Sequence, residues 1–347
     1  MFWCVPCGTH CLINPAGQKP MFDALYLEKE APDGQTATIR SLPESALPED
    51  EVIVRVHWSG LNYKDALVIT GRGPVVKTWP MVPGIDFAGV VERSSSPDFH
   101  FGQKVMLTGW GVGEKHWGGL AQKACVPGAW LQPLPQDLTC QQAMALGTAG
   151  FTAMLCVQAL VREGVGPNNG PVLVTGATGG VGSIALMLLA GMGYEVVAVT
   201  GRLEEQPYLQ RLGASEVLAR SHFEMPSRPL EKARWAGAVD VVGGQVLASV
   251  CASMKPQGVV AACGLAGGMN FPATVAPFIL RGVTLVGIDS VLCPRTVRQE
   301  AWNRLAVRVD KTLLASMTRV IPLSEAIAAS EDLLNGRIKG RLVVEIP

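Results

Sequence analysis

The chain has 347 residues, of which 48% are hydrophobic and 17% charged, and its 29 basic and 29 acidic side chains leave no formal net charge. The length exceeds the usual size of one core and implies two domains, while the composition excludes a disordered or heavily solvated chain. Without a basic block, or a basic stripe interleaved with aromatics, nucleic acid and anionic membrane surfaces are excluded as expected partners.

Residues 1–20 carry Cys4, Cys7, His10 and Cys11 at a spacing able to ligate a metal, but they lie ahead of the first periodic strand pattern, which begins at Met21. The segment reads as an appended, disordered extension. The nine cysteines of the chain are scattered, several inside apolar strand-like runs, as expected for reduced thiols of a cytoplasmic protein. From Met21 to about Ala143 short β runs alternate with turn residues, at Ala24–Leu27, Glu51–Val56, Phe87–Val91 and Gln103–Leu107. They predict a partly open, mainly antiparallel barrel. Asn62-x-x-Asp65 has the spacing of a helix cap. Trp110 and Trp117 lie in glycine-laden loops and either pack the barrel or wall a cleft.

Gln141–Leu160 predicts a helix, after which strands and helices alternate over 171–176, 183–192, 195–200, 204–212, 238–242, 245–254 and 258–263. Such alternation implies a doubly wound parallel sheet. No apolar stretch reaches the ~18 residues of a membrane span, the longest, near Ile184–Leu189, being bracketed by glycines. Within this half, Pro171-Val-Leu-Val-Thr-Gly176-Ala-Thr-Gly179-Gly-Val-Gly182-Ser183 joins a β run to an apolar helix through a glycine-rich turn. That order places a dinucleotide pyrophosphate on a helix N-terminus. Its G-x-x-G-x-x-G spacing departs from the commoner G-x-G-x-x-G, and glycine turns also occur without a ligand. After the second strand stands Thr200-Gly201-Arg202 rather than an acidic residue, which favours a 2′-phosphate and hence NADPH, a solvated loop arginine being the alternative. Val283–Asp289 reads as an exposed edge strand and predicts a homodimer that extends the sheet. Gly340–Ile346 reads as a last strand returning to the first domain. The expected domains are therefore 21–144 with 322–347, and 145–321.

Six further motifs occur in order: Ser59-Gly-Leu-Asn-Tyr-Lys-Asp65, Pro83-Gly-Ile-Asp-Phe-Ala-Gly89, Leu107-Thr-Gly-Trp-Gly-Val-Gly-Glu114, His116-Trp-Gly-Gly-Leu-Ala121, Gly147-Thr-Ala-Gly-Phe-Thr-Ala153 and Ala261-Ala-Cys-Gly-Leu-Ala-Gly-Gly268. With the glycine turn they resemble the medium-chain dehydrogenase/reductase superfamily, and in it the NADPH-dependent acrylyl-CoA reductase and quinone oxidoreductase-like group, from Met21 to Pro347. The resemblance implies a GroES-like catalytic barrel with a Rossmann nucleotide-binding domain inserted. It also implies the absence of zinc, because zinc-dependent relatives carry Cys where Asn62 stands and His where Ile85 stands, and a cysteine cluster within 88–115 that this chain lacks.

For the site, the resemblance implies that Tyr63 approaches the nicotinamide, that Thr178, Gly179, Gly180 and Val181 cradle the pyrophosphate, and that Thr200, Gly201, Arg202 and Arg220 surround the 2′-phosphate. Leu265, Ile279 and Ser290 would line the nicotinamide pocket, and Arg341 would be a C-terminal cofactor contact. Leu265 and Ile279 are, by type alone, core residues. Tyr63 and Asp86 are the catalytic candidates. The implied reaction is hydride transfer from NADPH to the β-carbon of a short enoyl-CoA, acrylyl-CoA giving propionyl-CoA. Lys64, Arg72 and Lys77 are candidates for the CoA phosphates. The alternatives are a quinone or enone reductase, and a non-catalytic NADPH-binding protein.

Overall fold

The structure is a computed structural model and describes residues 20–30 and 34–347; the expectations for residues 1–19 fall outside the described residues. The first part begins with an antiparallel hairpin, β1 (Met21–Glu30) and β2 (Gly34–Pro43). There follow β3 (Val52–Leu61), α1 (Tyr63–Thr70), β4 (Asp86–Ser94), β5 (Lys104–Thr108), β6 (Lys123–Val126) and β7 (Gln132–Pro133). α2 (Cys140–Arg162) then leads to β8 (Val172–Val174), α3 (Gly180–Gly191), β9 (Val196–Thr200), α4 (Gln206–Arg211), β10 (Ala214–Ala219), α5 (Ser221–Glu224), β11 (Trp235–Asp240), α6 (Gly244–Ala252), β12 (Met254–Ala262), α7 (Ala276–Arg281) and β13 (Thr284–Gly287). The chain ends with α8 (Arg295–Arg308), α9 (Lys311–Ser316), β14 (Thr318–Pro322), α10 (Ala326–Leu334) and β15 (Arg341–Glu345).

The parallel sheet runs β10-β9-β8-β11-β12-β13. Strand order therefore reverses between β8 and β11, and a doubly wound sheet opens its ligand crevice at the carboxyl ends of the strands at that point. The glycine turn follows β8, as its sequence order requires. Strands β8, β9 and β11 are buried along their whole length and apolar up to Thr200 and Asp240 at the ends of β9 and β11, as parallel strands covered on both faces must be. β13 is the outer strand, as the edge reading expects.

The second sheet, β14-β15-β3-β4-β5-β7 with β6 also on β3, is antiparallel except at β14–β15. It forms the barrel-like first part. β14 belongs to it throughout, so the chain has returned from the nucleotide sheet by Thr318, ahead of the boundary expected at 322. The Thr318–Pro322 pattern gave no sign of this, because only Ile321 of the five is buried.

Two readings of α2 need correction. It is long and apolar enough to cross a membrane, contrary to the expectation that no such stretch exists, but 83% of its apolar window is buried inside the protein, where it serves as the core helix between the two sheets. It is also broken at Gly147, whose φ of 51° and ψ of −154° interrupt the helical path. The break turns the Thr148 amide away from the helix ladder toward Asp86 on β4.

Candidate active site

The nucleotide side of the cleft is built from the turn after β8. A Cβ on Gly182 would lie 2.4 Å from the Gly176 carbonyl oxygen, so only glycine allows the first turn of α3 to rest on the loop. Gly179 caps α3 without any side chain, leaving the first-turn N–H groups of Gly180 and Val181 for an anion. The Thr178 and Thr200 hydroxyls meet at 3.3 Å, and Thr200 Oγ1 accepts the Arg202 N–H at 3.0 Å, so the pyrophosphate turn and the end of β9 are one unit. The exposed Arg220 guanidinium lies over Gly201, where a Cβ would be 3.1 Å from its central carbon, and Arg220 Nε donates to Glu224 at 2.6 Å. Arg202 spends one N–H on the Gly336 carbonyl (2.7 Å) and one on the Ile338 carbonyl (3.0 Å), keeping further donors for a phosphate. The loop before β15 is tied to the same place by the Gly340 N–H, which donates to the Thr178 carbonyl at 3.0 Å, and by the Lys339–Glu205 ion pair.

Across the cleft a buried polar cluster replaces ordinary core. Asp86, with no exposure, accepts the Gly60 N–H on one oxygen (2.8 Å) and both the Thr148 N–H (2.8 Å) and the Asn62 amide (3.0 Å) on the other. Asn62 and Asp65 form the expected capping box at the start of α1, with Asp65 Oδ2 accepting the Asn62 N–H at 2.9 Å and Oδ1 the Ile85 N–H at 2.9 Å. Burial pushes the Asp65 carboxyl up to about 7, and the charge of Asp86 adds to the rise. Arg341 donates to Asn62 Oδ1 (3.1 Å) and to the Ala145 carbonyl (2.7 Å); burial lowers its pKa, against the opposing charges of Asp86 and Asp65. Its Nη1 would stand 3.1 Å from a Cβ on Gly180, which joins the cluster to the N-terminus of α3.

Asp86, expected as a catalytic candidate, is buried, and its oxygens accept three N–H donors, which is the arrangement of a group that holds its neighbours in place. Tyr63, the first residue of α1, is 49% exposed beside this cluster. Thr148 was not singled out by the sequence reading, yet its Oγ1 is buried without a hydrogen-bond partner. A buried hydroxyl left unpaired is costly and points to a group that binds beside it.

Ser290 is half-buried, and its carbonyl sits close to Gly109, at 3.0 Å from where a Cβ would be. Leu265 adjoins Gly243 after β11, while Ile279 is 73% exposed on α7 and makes no hydrogen bond to the residues above. Trp110 stacks on Trp130 at 6.3 Å, and Trp117 meets Tyr26 edge-on at 5.8 Å, so both pack within the barrel part. Lys64 pairs with Glu114 and Arg72 with Glu331, which offsets two of the three charges considered for CoA phosphates.

Zinc does not fit this site. Ile85 offers only hydrocarbon, the Asn62 amide is committed to Asp65, Asp86 and Arg341, and no cluster of three potential ligands occurs among the described residues. A dinucleotide does fit: the start of α3 is uncapped, Arg341 stands over Gly180, and Arg220 stands over Gly201.

A barrel-like part closed by the C-terminal strand, with a doubly wound nucleotide sheet inserted, defines a medium-chain dehydrogenase/reductase. A family model described as an alcohol dehydrogenase GroES-like domain matches residues 48–136, and one described as a zinc-binding dehydrogenase matches residues 180–306. The probable acrylyl-CoA reductase AcuI of Escherichia coli (strain K12) is 55% identical over 93% of this chain and 99% of its own length. Acrylyl-CoA reductase AcuI of Ruegeria pomeroyi is 52% identical over 94% and 99%. The yhdH oxidoreductase of Salmonella enterica, solved in complex with NADP, superposes with a TM-score of 0.92 at 53% identity, covering 94% of this chain and all of its own. The chain belongs to the acrylyl-CoA reductase and quinone oxidoreductase-like group of the medium-chain dehydrogenase/reductase superfamily.

Proposed function

We propose that the chain is a zinc-independent, NADPH-dependent reductase of an activated C=C bond, acting on acrylyl-CoA to give propionyl-CoA. What supports this reading is the pairing of Arg202 and Arg220 at Gly201, which favour the phosphorylated coenzyme, with an Asn62 and Ile85 pair that cannot ligate zinc. NADPH, when bound, supplies hydride for the β-carbon of the thioester. The α3 N-terminus with Thr178, Gly179, Gly180 and Val181 holds the pyrophosphate, and Arg220 and Arg202 hold the 2′-phosphate beside Thr200 and Gly201. Leu265 and Ser290 border the nicotinamide end.

As negative charge develops on the thioester oxygen, a positioned donor there is worth roughly 3–4 kcal/mol. The Thr148 hydroxyl, buried and without a hydrogen-bond partner beside Asp86, is the donor we assign to that oxygen. Tyr63, exposed and with a hydroxyl that meets no partner among the described residues, orients the nicotinamide or relays the proton to the α-carbon. Asp86 fixes the Thr148 amide and Asn62, and through Asn62 the start of α1.

Steady-state NADPH oxidation with acrylyl-CoA, simple enones and quinones, repeated with NADH, tests the proposal. Preference for acrylyl-CoA with NADPH supports it, preference for a quinone moves the chain to the quinone reductase reading, and tight NADPH binding without turnover points to a non-catalytic role. We further propose a homodimer through edge strand β13, beside which Val275, Ile279, Leu280 and Leu292 are exposed apolar residues. Sedimentation of a monomer alone at micromolar concentration contradicts it.

A further inference from the structure

Arg298, on the first turn of α8, is 1% exposed. Among the described residues it has no carboxylate within ion-pair distance. A buried cation that no carboxylate pairs directly, the charge of Asp289 acting only from beyond ion-pair distance, is expensive, and replacing such a group by a hydrocarbon of similar volume is often neutral or stabilising. Packing alone therefore does not account for an arginine here. Burial pulls its pKa down only to about 10, so it stays charged at neutral pH.

What holds the charge is a set of acceptors drawn from both domains. Nη1 donates to the Thr108 carbonyl and to Thr108 Oγ1, both at 2.8 Å, at the end of barrel strand β5. Nη2 donates to the Ser290 carbonyl at 3.1 Å and the Val291 carbonyl at 3.2 Å, after β13 of the nucleotide sheet. The guanidinium carbon lies 5.0 Å from the Trp110 ring centre and 4.6 Å from that of Phe151, which adds cation–π attraction from each ring. Thr108 is paired directly with Asp86, and the Trp110 N–H donates to the Val291 carbonyl at 3.1 Å. The planar fork suits this bridge, because its two arms reach in fixed directions that a lysine ammonium cannot reproduce.

We propose that Arg298 is a positioning residue for hydride transfer: its guanidinium clamps the Ser290–Val291 segment of the nucleotide domain to Thr108 of the barrel, fixing the width of the cleft at the nicotinamide end. The inference rests on the reading that the nicotinamide lies beside Ser290. The residue acts through the two walls and touches neither cofactor nor substrate, so its loss spares binding of the adenosine half of the coenzyme and harms the half that crosses the cleft.

The full chain carrying Arg298→Met, Arg298→Lys or Thr108→Val tests this. Affinities for NADPH and for 2′,5′-ADP, which lacks the nicotinamide, are measured by titration calorimetry, together with kcat, the primary isotope effect with deuterated NADPH, and hydrogen exchange at the Trp110 amide without ligand. For Arg298→Met the 2′,5′-ADP affinity stays within about twofold, NADPH affinity and kcat each fall about tenfold or more, the isotope effect rises, and the Trp110 amide exchanges faster. Arg298→Lys recovers part of the loss. Equal loss of NADPH and 2′,5′-ADP, or wild-type kcat and Trp110 exchange in Arg298→Met, overturns the proposal. If the methionine variant does not fold, Thr108→Val and Arg298→Lys give the same split in smaller measure, and a wild-type pattern in both overturns the proposal. A wild-type protein that binds 2′,5′-ADP but gains nothing from the nicotinamide half overturns the functional reading itself, and the Trp110 exchange then judges the clamp alone.

Discussion

Replacing Gly147 with alanine separates the polar cluster from generic backbone strain. The added Cβ would stand 2.6 Å from Asp86 Oδ2 and 2.9 Å from Arg341 Nη2, at a φ of +51°. Neither neighbour can give way cheaply, since Asp86 is fully buried and Arg341 is 3% exposed. A side chain in a glycine-only region of backbone space costs about 1–3 kcal/mol. Displacing Asp86 from the Thr148 N–H adds about 1–3 kcal/mol for a buried donor left unpaired. The expected loss is about 2–6 kcal/mol. Gly193, at φ +85° with nothing within 4 Å of its Cβ position, supplies the control, in which alanine meets backbone strain alone. Urea-unfolding midpoints of Gly147→Ala and Gly193→Ala, with kcat on acrylyl-CoA, measure the difference. Gly147→Ala should be clearly the less stable and should lose most activity while Gly193→Ala keeps it; equal midpoints and activities would refute the assignment of Asp86 and Arg341 as rigid supports of the cleft.

Three further outcomes are expected. Arg202→Glu should lower NADPH affinity relative to NADH by at least about tenfold, some 1.4 kcal/mol, and an unchanged ratio would remove Arg202 from the 2′-phosphate site. Asp65 is raised from 3.8 to about 7, so the folded state binds its proton more tightly and stability falls as pH rises between these values, then levels off. The Asp65→Asn variant should lack that slope when urea midpoints are compared from acid to neutral pH; identical slopes contradict the shift. Tyr63→Phe should reduce kcat by about tenfold or more with NADPH affinity unchanged, whereas a wild-type kcat rules out a role for the hydroxyl.

The parts of this site that sequence reveals are those encoded within a few neighbouring residues. The glycine turn, Thr200-Gly201-Arg202 and the Asn62–Asp65 cap each declare themselves by short spacing, and the buried strands β8 and β9 by unbroken apolar runs. Asp86, Gly147 and Arg341 meet only through folding, and no local pattern distinguishes a glycine that breaks a helix over a carboxylate from one that merely sits in it. Arg298 lies 190 positions from Thr108, its main partner. As one of five charged residues on a polar helix, it gives no hint of burial. The β14 edge escaped because only one of its five residues, Ile321, is buried.

Hydride delivered from NADPH to the β-carbon of a short enoyl thioester would leave its mark on one carbon of the product. NADPH carrying deuterium at the transferable C4 position, incubated with the protein and acrylyl-CoA, tests it most directly by mass and NMR analysis of the product. Propionyl-CoA with one deuterium on the carbon distal to the thioester is the expected result. Unlabelled product, label next to the thioester carbonyl, or recovery of unchanged acrylyl-CoA while a quinone is consumed would contradict it.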